Sequence, residues 1–161
     1  MANEKITFSE FLESIECEHL EFINRLHGYL LENSCVIKIR QASSGYVVSY
    51  FHKPSSRTVM NYLFRKKMLM LRAYTDNINL YIETVSKWPN SMKETIKNGG
   101  DCSRLSNPTK CNSRCLKGFD FMLDGERQQK CRCHNALTFA LSKESKPYLF
   151  EIMKLEMEAR I

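Results

Sequence analysis

Five of the seven cysteines lie between positions 102 and 133: Cys102, Cys111, Cys115, Cys131 and Cys133, with His134 directly after the last. A buried thiol usually behaves as a small hydrophobe. Here the first three sit among Asp, Ser, Asn, Lys and Arg, which suits a ligand better than a core residue. Four thiolates make a closed tetrahedral shell for zinc, the usual form of a structural site. The pattern Cys102-x8-Cys111-x3-Cys115-x15-Cys131 therefore predicts one structural zinc ion. The fourth ligand is Cys131 or Cys133. Two apart on a strand, they share a face, and Cys131 is favoured because it is nearer the loop; His134 is the third choice. The spacing matches neither common ferredoxin run. Cationic neighbours lower thiol pKa values, so a thiol redox sensor or an enzyme using the cluster is an alternative. Cys17 and Cys35 are assigned to core.

The second candidate chemistry is anion binding. From Val36 to Thr75 the chain carries eight basic residues (Lys38, Arg40, Lys53, Arg57, Arg65, Lys66, Lys67, Arg72) and no Asp or Glu, while the first 35 residues carry seven Glu. Either the two segments meet and neutralise each other, or the basic one forms an exposed face that attracts an anion or nucleic acid. Arg57, Arg65, Lys66, Lys67 and Arg72 are its best candidate members. Tyr46, Tyr50, Phe51, Tyr62, Phe64 and Tyr74 are interleaved with them. Aromatics on basic strands can stack bases, although aromatics at alternate strand positions also fill cores.

Catalysis has less support. Nucleophilic catalysis needs a nucleophile, a base and an orienting group. No GxSxG, HExxH or Gly-rich phosphate loop is present, and the four histidines are scattered. His19 reads as a satisfied, partly buried residue on a helical stripe, and His52 as a solvated one. No catalytic residue is nominated.

These residues must be positioned by elements that the pattern also predicts. Thr7-Phe8-Ser9-Glu10 is a capping box, and apolar residues at 8, 11, 12, 15, 22, 23, 26 and 30 continue as one helical stripe. Cys35–Gln41, Tyr46–Phe51, Arg57–Arg65 and Lys67–Tyr74 read as four strands. Their short connections force an antiparallel meander, with Arg65-Lys66-Lys67 as a tight turn. A helix follows over 78–87 and a short one over 91–97. Gly99-Gly100 is expected to supply unusual backbone angles. Phe119–Leu123 and residues 130–141 form a hairpin through Asp124-Gly125, and Tyr148–Ala159 is a final helix.

The expected fold is thus α+β: an antiparallel β-meander with N-terminal, central and C-terminal helices packed on one face, plus a metal-pinned loop and hairpin within about 99–134. At 161 residues, with neither repeat nor long linker, a single domain over 1–161 is expected. Mean hydropathy is −0.40 and no apolar run reaches the length of a membrane helix. The start, MANEKITFSEF, lacks a basic-then-apolar leader pattern. A cytoplasmic address follows, with no membrane partner and self-association left open.

Gly99-Gly100-Asp101-Cys102, Cys111-x3-Cys115, Lys117-Gly118-Phe119-x-Phe121 and Lys130-Cys131-Arg132 together resemble a motif of small uncharacterised bacterial proteins of clostridial type. The likeness covers the second half of the chain and part of the meander. It implies no activity. It does imply Cys102, Cys111, Cys115 and Cys131 as the shared cysteines, with Cys133 the departure. The resulting expectation is a non-enzymatic binding or regulatory module with one structural zinc. Nucleic-acid or anionic-ligand binding through 36–75 is the alternative.

Overall fold

The computed structural model describes residues 4–106, 115–132 and 135–160. The capping box forms as expected: Thr7 Oγ1 accepts from the Glu10 amide, and the Glu10 carboxylate accepts from the Thr7 amide. The helix it starts is shorter than the stripe suggests. α1 (Phe8–Glu13) ends at Ser14, a 3-10 turn spans Cys17–His19, and α2 runs Leu20–Glu32. The break falls where the apolar stripe is interrupted by Glu16-Cys17-Glu18, leaving nothing there to bury.

The meander follows as β1 (Cys35–Ala42), β2 (Gly45–His52), β3 (Arg57–Arg65) and β4 (Met68–Ala73). α3 (Ile82–Ser86), α4 (Asn90–Lys97) and a single turn, α5 (Ser103–Ser106), lead to a hairpin of β5 (Phe119–Leu123) and β6 (Glu126–Lys130). Asp124 and Gly125 both take positive φ, the type I′ turn expected of Asp-Gly. The predicted return strand over 130–141 does not form as one. The strand that returns beside β5 is β6, which lies earlier and meets the predicted range at Lys130 alone. Further along that range, β7 (Thr138–Ala140) leaves the hairpin and pairs with β4. The large sheet is therefore five antiparallel strands in the order β1-β2-β3-β4-β7. α6 (Ser145–Ala159) closes the chain.

The strand register separates the two faces of this sheet. Ile39, Val48, Tyr62, Leu71 and Phe139 form one row across all five strands. This face meets the helices: Tyr62 stacks on Phe11 of α1, Tyr50 takes His27 of α2 edge-on, and Phe139 meets Trp88 beside α4. α6 packs on α2 through Phe22 and Phe150. Burying these aromatics and aliphatics supplies the main driving force for folding. α3 and α4 lie at the β7 end of the sheet and carry the hairpin, with Lys93 and Lys97 of α4 both bound to Asp124. Among the described residues, no helix is long and apolar enough to cross a membrane.

Candidate functional site

The opposite face of the sheet has a different composition. One row across it reads Lys38, Ser49, Asn61, Arg72, Thr138. Beside it stand Val36 with Phe51 and Thr58, Arg40 with Val47, Leu63 with Met70 and Ala140, and Arg65 with Met68. No acidic residue occurs in these rows. Lys38 and Arg40 are exposed, while Arg65 and Arg72 are half-buried. Three large apolar side chains stay in solvent between them: Val36 at 39% exposure, Phe51 at 38% and Met68 at 51%. Arg72 Nε donates to Thr138 Oγ1 at 3.3 Å. Burial and the adjacent charge of Arg72 together hold the Arg65 guanidinium below its ordinary pKa. The two cations thus act on each other, with no carboxylate in their rows.

Partial neutralisation by the acidic N-terminal segment does not occur through close pairs. Among the described residues, Arg57 alone of the eight basic residues in 36–75 has a carboxylate within 4.0 Å, and its partner is Asp76 at 3.6 Å. Arg57 therefore departs from the predicted anion site; it belongs to a cluster at the far end of β3. Lys66 and Lys67 occupy the β3–β4 turn at φ 51° and 66°, exposed at one end of the face. A two-residue turn with both residues left-handed normally takes Asn-Gly, and side chains there carry strain. Of the six aromatics, Tyr50 and Tyr62 are core, and Tyr46 and Phe64 pack against it. Phe51 is exposed on the basic face. Tyr74 adjoins it, its hydroxyl accepting from Asn61 Nδ2 at 3.1 Å and its ring under Arg132. Sequence reasoning left Lys38 and Arg40 out of the candidate set. The alternation Val36-Ile37-Lys38-Ile39-Arg40 already put both on the face opposite the isoleucines.

The cysteine region is built around β6. Asp101 bridges Lys130, the Cys102 amide donates to the Gln129 carbonyl at 2.8 Å, and the Cys131 amide donates to the Gly100 carbonyl at 2.8 Å. This edge pairing puts Cys102 and Cys131, both buried, on adjacent segments. On the other side of β6, the Gly118 amide donates to Cys102 Sγ at 3.3 Å. A Cβ at Gly118 would fall 2.2 Å from the Lys130 carbonyl oxygen and 2.7 Å from Cys102 Cβ, so only glycine fits. Cys115 is half-buried, and the Arg104 guanidinium donates to its carbonyl. Cys111 and the alternatives Cys133 and His134 lie outside the described residues.

One supporting role differs from expectation. Gly99 takes no left-handed angle; a Cβ there would lie 2.3 Å from Ala136 Cα, so it is needed for close backbone approach. Lys130 and Arg132 both have oxygen partners. The Lys130 ammonium is spent on the Lys97 and Gly99 carbonyls and Asp101, fastening the turn before Cys102. Arg132 pairs with Asp76. Cys35 is core, and burial pushes its thiol up to about 11. Cys17 is exposed in its 3-10 turn and is not core. His52 is buried, with Nδ1 2.8 Å from Ser55 Oγ, and is not solvated. His19 is buried, but its Nδ1 has no partner among the described residues. Glu16, Glu18 and His19 are the one trio of potential ligand atoms within 4.8 Å of one another among the described residues.

A charged cluster that the sequence did not advertise ties the C-terminal helix to the sheet. Glu156 is fully buried and accepts from the Asn77 amide (3.0 Å), Asn77 Nδ2 (2.9 Å), the Tyr81 hydroxyl (2.6 Å) and Arg160 Nε (2.7 Å). Arg160 also donates to Asp76 at 3.1 Å and to the Tyr74 carbonyl at 2.8 Å. With all four donors engaged, this group is structural. No family model, curated protein or solved structure matches the chain. The functional reading therefore rests on the residues themselves.

Proposed function

We propose that this protein is a non-catalytic binding module whose open sheet face holds a polyanion. The observation that carries the reading is the row Lys38, Ser49, Asn61, Arg72, flanked by Arg40 and Arg65, with no carboxylate in it. Three strand spacings put Lys38 and Arg72 about 14 Å apart, a span that several successive phosphates can cover. Unpaired cations on a fixed sheet keep their full attraction for an anion, whereas paired ones must first give up a partner. The strained Lys66-Lys67 turn extends the positive charge past the end of β3.

The test is binding of heparin and of a labelled oligonucleotide to the whole protein, followed by anisotropy. Wild type should bind both, and Arg65→Ala with Arg72→Ala should weaken both while the fold persists by circular dichroism. Absence of binding at low salt, or binding that the double substitution leaves untouched, rejects the reading.

A second reading concerns how the module is held together. Cys102, Cys111, Cys115 and Cys131 are proposed as the ligands of one structural zinc. The Gly118 N–H···Sγ bond to Cys102 supports it, because amide donors stabilise a thiolate and orient it for a metal. Such ligands fit a reducing cytoplasm. Bound zinc would pin the loop to the hairpin; four thiolates leave no position for substrate. Elemental analysis should return near one zinc per chain, and chelation should lower the melting temperature. A metal-free protein of unchanged stability rejects it.

A further inference from the structure

Within the polyanion reading, on which this step rests, we infer that the ligand is single-stranded nucleic acid, with a base stacked on Phe51. A duplex meets a flat surface with its phosphates alone. Among the described residues, this face has no protruding helix or ribbon to enter a groove, and its apolar side chains would stay uncovered. They are not peripheral. Val36 and Phe51 pair directly across β1 and β2, two residues along from the Lys38–Ser49 pair. Met68 pairs with Arg65 at the other end. Apolar groups thus alternate with cations over the whole face, the pattern expected where bases and phosphates must both be held.

Phe51 is the aromatic that can do this. The residue is 38% exposed, while Tyr50 and Tyr62 are enclosed in the core and Tyr74 is engaged by Asn61 and Arg132. Lys38 and Arg40 lie on the neighbouring strand, where they can hold the phosphates flanking a base on Phe51. Ser49 and Asn61 supply neutral polar groups in the centre of the face. Stacking does not select one base, so the ligand class is single-stranded RNA or DNA without a fixed sequence.

The experiment compares three probes on the full chain at fixed salt: a single strand of about 12 nucleotides, the duplex of the same length, and heparin. The single strand should bind more tightly than the duplex. Phe51→Ala should weaken it by about 5- to 150-fold, the range for loss of one stacked base, and leave heparin unchanged. Phe51→Trp should restore it. A 2-aminopurine base in the strand should change its fluorescence on binding wild type and not on binding Phe51→Ala. Equal affinity for all three probes, or a Phe51→Ala chain that binds the single strand like wild type, overturns the inference and leaves the polyanion reading standing. Failure to bind any probe overturns both.

Discussion

Substituting Glu156 by Gln should be the most damaging near-isosteric change in the chain. Glu156 carries no exposed surface, and each of its oxygens accepts two donors: Oε1 from the Asn77 amide and Tyr81, Oε2 from Asn77 Nδ2 and Arg160. Glutamine keeps one acceptor and turns the other oxygen into a donor. Whichever way the amide is set, at least one N–H faces another N–H inside the protein. Arg160, itself buried, keeps Asp76 but loses half of its negative surroundings. Breaking a buried ion pair from one side costs about 3–5 kcal/mol. For a chain of this size that lowers the melting temperature by about 6–20 °C. Tyr81→Phe removes a single donor and should cost less, about 1.5–3 kcal/mol. Thermal unfolding followed by circular dichroism reads both. A Glu156→Gln protein melting within about 2 °C of wild type, less than 1 kcal/mol by the same conversion, would show that the cluster does not tie α6 to the sheet.

Gly118→Ala must push Cys102 or the Lys130 carbonyl aside, and should cost about 1–3 kcal/mol by overpacking; unchanged melting contradicts the close approach. Replacing Lys66-Lys67 by Asn-Gly relieves two left-handed side chains and should stabilise the fold by about 1 kcal/mol or more while weakening polyanion binding. A gain in stability with no loss of binding removes the turn from the binding surface. His19, His27 and His52 all have pKa values lowered by burial, so folding favours their neutral forms. Above about pH 6.5 both folded and unfolded chains are unprotonated and this stability is complete. As pH falls the unfolded chain takes up protons first, so stability drops until the folded-state values are passed. Melting temperatures at fixed ionic strength should fall from about pH 7 to pH 5, and a flat profile contradicts the linkage.

The meander was readable because its strands alternate and are joined by short polar turns, which leave no other pairing. Its fifth strand was not. Thr138-Phe139-Ala140 is too short to show a period, and its partner β4 is remote in sequence. The first helix was overextended because a helical stripe on either side of Glu16-Cys17-Glu18 reads as one when the gap is ignored. Within the basic segment, charge alone drew attention to Arg57 and away from Lys38. Register, which decides the face, reverses that order. Cys102 was singled out by its polar setting and Cys131 by its nearness to the loop, and the pairing of 100–102 with 129–131 sets them on adjacent segments. Glu156 was missed because a carboxylate on an amphipathic helix looks solvated until Asn77, Tyr81 and Arg160 surround it.

The central claim is tested most directly by the salt dependence of affinity for a single-stranded oligonucleotide. Each phosphate neutralised on a single strand contributes about −0.7 to the slope of log K against log salt. If Lys38, Arg40, Arg65 and Arg72 each hold one, they contribute about −2.8 to the slope, about a 50-fold loss between about 50 mM and 200 mM salt. Changing all four to Ala should remove that share and leave at most about −1.4 from Lys66 and Lys67. A slope that is already near zero in the wild type, or one that the fourfold substitution leaves unchanged, contradicts binding on this face.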